Sequence, residues 1–205
     1  MDKKVPMKLS TCVAVLVVGL IGCGDDGGVA GGNSTSLPPK DDLALGWQAF
    51  ESGDYQIALT FFESAITEDP SAGEPWCGKG WTCLQGQEVR NCWGDFQEAL
   101  IKQYEHSDAW AGKAVAECHH NLAEAIRAAE EVLSREPRYA FSHLPEFDWM
   151  DLRLIMAQAH FSRSEYSEAN AQVDSLGGNP ADPLDDSFVE DLMIEIERLG
   201  NLIRH

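Results

Sequence analysis

Four pairs of residues separated by 34 positions constrain this chain more than any other feature: Gly46 and Gly80, Phe62 and Phe96, Ala65 and Ala99, and Trp76 and Trp110. Small and aromatic residues that return together at one interval mark a structural unit used more than once. A period of this length belongs to stacked arrays, in which a single unit cannot bury its apolar face alone and must lean on its neighbours. Between recurrences the apolar residues keep helical spacing, which predicts an all-α fold made of helix–turn–helix units.

In its details the pattern resembles the tetratricopeptide repeat. A first repeat, about Pro39 to Ala72, has Gly46 where two helices need a minimal side chain and Gly53 in the turn within the repeat. Tyr55, Ala58, Phe62, Ala65 and Pro70 follow at the family's spacing. The second, about Gly73 to His106, carries Trp76, Gly80, Phe96 and Ala99 in register, with Cys92 at the small-residue position of Ala58. The third starts near Ser107 and runs through Trp110, Ala114, Leu122, Ala125, Ala129, Val132 and Pro137, one residue short in its turn. An insertion, Arg138 to Trp149, contains Phe141, His143, Pro145 and Phe147. The fourth repeat resumes with Leu154, Ala157, His160, Tyr166, Ala169, Val173 and Leu176, and Gly177, Gly178 and Pro180 stop it. Beyond Asp186, a natural N-cap, Phe188, Leu192, Ile196, Leu199 and Ile203 share one helical face opposite Glu190, Asp191, Glu195 and Glu197. That is the pattern of a capping helix. The resemblance thus implies a tetratricopeptide-repeat α-solenoid over residues 40–183 and a cap over residues 184–205, nine helices in all.

The N-terminal stretch is of another kind. Lys3, Lys4 and Lys8 precede an apolar run from Leu9 to Ile21, too short to span a bilayer but suited to the core of an export signal. Leu20-Ile21-Gly22-Cys23 resembles the bacterial lipobox, which implies a signal peptide of residues 1–22 and acylation of Cys23. Gly24 lacks the aspartate linked to inner-membrane retention, so the resemblance favours the outer membrane, facing the periplasm. Residues 23–39 are rich in Gly, Ser and Pro and are expected to form a tether.

Charge narrows the partners. The chain has 34 acidic and 15 basic residues, and without residues 1–22 the balance is 33 to 12. Such a chain repels nucleic acid, whose binding depends on Lys and Arg, and suits solubility or a basic partner.

No glycine-rich phosphate loop, nucleophile elbow or HExxH motif is present, and the expectation is a protein that is not an enzyme and carries no cofactor or metal. His119 and His120 fall at the end of a helix and in a turn, and His160 stands at a core position. Cys77, Cys83, Cys92 and Cys118 remain after processing. On the repeat template Cys92 lies within reach of both Cys83 and Cys118, so the alternatives are buried thiols or one disulfide using Cys92 with either partner. Their spacing fits no common zinc pattern.

By the same resemblance, the first helix of each repeat lines a concave groove that touches ligand. The positions implied are Leu43, Trp47, Phe50, Trp81, Leu84, Val115, Gln158 and Phe161. The clamp that holds chaperone C-termini in some relatives is absent, since Leu43, Trp47, Trp81, Asp108 and Gly112 stand at the comparable places. The function expected is a lipid-anchored adaptor that binds a protein or peptide in the cell envelope. The alternative is a lipoprotein that captures a glycan or small molecule on its groove tryptophans.

Overall fold

The computed structural model describes residues 41–86 and 92–203. The export signal, Cys23 and the whole of the tether lie outside them. Among the described residues nine helices follow one another: α1 (Asp42–Glu51), α2 (Tyr55–Glu68), α3 (Glu74–Gln85), α4 (Cys92–Lys102), α5 (Ser107–Glu117), α6 (Leu122–Arg135), α7 (Trp149–Ser162), α8 (Tyr166–Ser175) and α9 (Phe188–Ile203). From α1 to α8 each odd helix packs on the even helix that follows it, and the odd helices also touch one another in sequence from α1 to α9. The result is an all-α solenoid in which the odd helices form one file.

Local chemistry sets the helix boundaries. Asp41 caps α1 by accepting from the Ala44 amide at 3.1 Å, and Asn121 does the same for α6 through Glu124. At α7, Asp148 and Asp151 exchange side-chain and backbone hydrogen bonds at the first turn, a capping box that satisfies amides the helix itself cannot. The α1–α2 turn places Gly53 at φ 80°, a left-handed backbone that glycine adopts without a Cβ penalty.

Two clusters make up the core. The larger joins α1 to α6 with one face of α7, including Trp47, Phe62, Trp81, Phe96 and Trp110. The smaller joins the other face of α7, through Leu154 and Ala157, to Ala169 and Val173 of α8 and Leu192, Ile196 and Leu199 of α9. The last helix therefore seals the array with the face expected of it.

In repeat two, Cys83 of α3 and Cys92 of α4 stand where Ala49 and Ala58 stand in repeat one. A disulfide joins Cys83 to Cys92, with Cα atoms 5.6 Å apart, and so ties α3 to α4. Of the pairings that the sequence leaves open, the structure holds this one, and Cys77 and Cys118 are buried thiols.

Candidate functional site: the concave face and its strap

Residues 138–148, between α6 and α7, turn back across the file of odd helices. They form a narrow strap: Ala140 and Asp148 make an antiparallel bridge, the Phe141 amide donates to the Phe147 carbonyl, and the Trp149 amide donates to the Tyr139 carbonyl at 2.8 Å. Three apolar side chains enter the solenoid from this strap. Tyr139, Phe141 and Phe147 are 2%, 0% and 3% exposed, and they belong to the same core as the helices.

Their neighbours are the two tryptophans of the groove. Trp81 stacks on Phe141 with centroids 4.6 Å apart and meets Phe147 and Phe96 edge-on. Trp47 is edge-on to Phe62 and Phe141 and lies flat against the His143 ring at 3.9 Å. Both indole N–H groups are satisfied one repeat further on: Trp47 donates to Glu74 Oε1 and Trp81 to the Asp108 carbonyl, each at 3.0 Å. Glu74 and Asp108 are themselves 34 residues apart.

This corrects the expectation of an open groove. Trp47, Phe50, Trp81 and Val115 are buried. Leu43, Leu84, Gln158 and Phe161 retain partial exposure. The physical reason is area: two indoles facing water beside an insertion with its own apolar rings leave several hundred square ångströms wet, and closing them together is worth about 25 cal/mol per Å². The sequence contained the signal, since the insertion carries Tyr139, Phe141, Leu144, Phe147 and Trp149 within twelve residues. Nothing in the repeat pattern says that an insertion folds inward.

Polar groups under the strap are matched. The Tyr139 hydroxyl donates to Asp108 Oδ1 at 2.7 Å. Burial pushes the Asp108 carboxyl up, against the lowering effect of that hydrogen bond, and burial together with the Asp108 charge pushes the Tyr139 phenol up. Burial also raises the Cys77 thiol well above its ordinary value, which leaves it a poor nucleophile. His119 and His120 are exposed, and the His160 Nδ1 meets Glu165 at 2.8 Å. Among the described residues no group of three or more His, Cys, Asp or Glu side chains is placed to hold a metal ion.

At the α1 end the strap does not fill the concave face. His143 forms one wall of a cavity of about 470 Å³ that Leu43, Ala44, Trp47 and Gln48 of α1 share with Asp41, Glu51 and Glu74. The His143 Nδ1 lies 2.6 Å from Glu51 Oε1. Glu74 is also 2.7 Å from His106 Nε2. Burial opposes its charge, but hydrogen bonds from His106 and Trp47 outweigh it and hold the carboxyl below the usual range.

Comparison with known proteins agrees with this architecture. The structure is similar to that of a tetratricopeptide repeat protein from Parabacteroides merdae ATCC 43184, with a TM-score of 0.53 and 15% identity over 78% of this chain. It is also similar to a thermophilic TPR protein of Thermus thermophilus, with a TM-score of 0.54 and 18% identity over 80% of this chain and 87% of that one. The fold is that of the tetratricopeptide repeat. The chain spans 58% of the length of the Parabacteroides protein. No family model and no curated protein matches its sequence.

Proposed function

We propose that this protein is a lipid-anchored adaptor of the bacterial cell envelope, which binds another protein or peptide and holds it near a membrane. The observation that carries the reading is the solenoid itself: stacked helix pairs offer a long, rigid surface, and the fold in general serves protein–protein interaction. Anchoring through Cys23 is supported by the basic start, the short apolar run and the Leu20-Ile21-Gly22-Cys23 sequence. The Cys83–Cys92 disulfide supports an oxidising compartment, where such bonds persist. Gly24 favours the outer membrane, with the solenoid on the periplasmic side.

Because the strap covers both groove tryptophans, a glycan cannot stack on them in this conformation, and the adaptor reading is the better supported. Leu43, Leu84, Gln158 and Phe161 are the groove positions at which side-chain surface remains for a partner. Fractionation of cells making the full chain tests the anchor. The protein is expected in membranes and labelled by a fatty-acid probe, and Cys23→Ala in the soluble fraction and unlabelled. A Cys23→Ala protein that still sediments with membranes and takes up label would refute the assignment. In-cell photo-crosslinking from position 43 is expected to trap an envelope protein.

A further inference from the structure

We propose that the cavity at the α1 end of the concave face is a receptor for the cationic side chain of a partner, in particular an arginine guanidinium. The inference rests on the adaptor reading and locates its contact. The cavity is an open depression on the surface, and its volume, about 470 Å³, lies within the range of small-ligand sites. Its chemistry is one-sided: Asp41, Glu51 and Glu74 line it, and neither Lys nor Arg does. The remaining lining is Leu43, Ala44 and the Trp47–His143 stack, with Gln48 beside them.

Each element has a different role. Glu74, partly exposed, has Oε1 on the Trp47 indole and Oε2 on His106, and these contacts keep its carboxyl ionised. Glu51 stands at the rim, half exposed, with Oε1 on His143. A planar guanidinium matches this arrangement better than an ammonium: it donates in parallel to a carboxylate and lays its face on an aromatic edge or apolar wall. The overall excess of acidic residues draws a basic partner to the protein, and the cavity gives that attraction an address. The strap is part of the site, because without His143 the cavity has no second wall.

The test uses three capped tripeptides, Gly-Arg-Gly, Gly-Lys-Gly and the uncharged isostere Gly-citrulline-Gly, titrated into the soluble Cys23→Ala protein at fixed ionic strength. The readout is the Trp47 indole N–H resonance, assigned through Trp47→Phe. The arginine peptide is expected to shift that resonance saturably, the lysine peptide more weakly and the citrulline peptide not at all. Glu51→Gln should weaken the arginine response about fivefold or more, whereas Glu190→Gln on α9 should leave it unchanged. Gln48→Arg, an exposed position on the cavity wall, should block it by supplying a guanidinium in cis, which keeps the test decisive if Glu51→Gln perturbs the fold. Equal responses to arginine and citrulline, or equal losses from Glu51→Gln and Glu190→Gln, would overturn the proposal. If the peptides fail while crosslinking from position 43 still traps a partner, the cavity is wrong and the adaptor stands.

Discussion

At the residue scale, the close approach of helices explains the glycines better than their count does. The Phe62 ring lies between Gly46 and Gly78, and the Phe96 ring between Gly80 and Gly112. A Cβ at Gly46 would come within 2.7 Å of Phe62, one at Gly80 within 2.7 Å of Phe96, and Cβ atoms at Gly78 and Gly112 would overlap the same rings outright. Each aromatic is thus gripped by glycines from two successive odd helices. Gly78 and Gly112 form a further 34-residue pair that the family pattern does not single out, and the structure gives its reason. Gly112→Ala is expected to destabilise the protein by about 1–3 kcal/mol, the range for an overpacked core. Chemical denaturation measures this, and an unchanged midpoint would show that Phe96 moves aside freely. The turn before α8 makes a related point. Ser164 adopts φ 63° where Gly53 stands in repeat one, and the Ser164 and Glu165 amides reproduce the Gly53 and Asp54 hydrogen bonds to the preceding helix. The turn geometry is kept even where its favoured residue is not.

At the element scale, repeat two joins its two helices by a covalent bond. Cys83 and Cys92 occupy the places of Ala49 and Ala58, both buried in repeat one. Replacing both cysteines by alanine therefore leaves side chains that the fold already accommodates elsewhere. The loss should come from the greater freedom of the unfolded chain, about 2–3 kcal/mol for a loop of this length. Equal stability of the double variant and the oxidised parent would contradict that. Helix pairs, cap and period were legible in the sequence because stacking imposes a regular pattern on residues such as Gly46, Phe62 and Ala65. The disulfide was legible only as a choice, since Cys92 borders two helix pairs. The strap's destination was not legible. Its aromatics carry no period, and an insertion of twelve residues closes on tertiary contacts that sequence spacing does not encode.

At the scale of the whole molecule, the strap changes what the solenoid is. It ties α1 to the segment before α7 through the contact of His143 with Glu51, 92 residues apart. The concave face consequently divides into a filled centre beneath Phe141 and Phe147 and an acidic cavity at the α1 end. Recognition by broad aromatic stacking along the groove gives way to recognition at its mouth. The acidic balance of the chain gives that mouth a sign, and the tether and Cys23 would give it a position near a membrane.

The filled groove is the claim on which the rest depends, and Phe141 tests it most directly because this ring, wholly buried against Trp81, closes the face. Equilibrium unfolding of Phe141→Ala beside the parent is the measurement. If the strap belongs to the core, the variant should lose about 3–5 kcal/mol, the usual cost of truncating a buried aromatic. A variant as stable as the parent would mean that the strap only rests on an open groove, with Trp47 and Trp81 available to a partner after all.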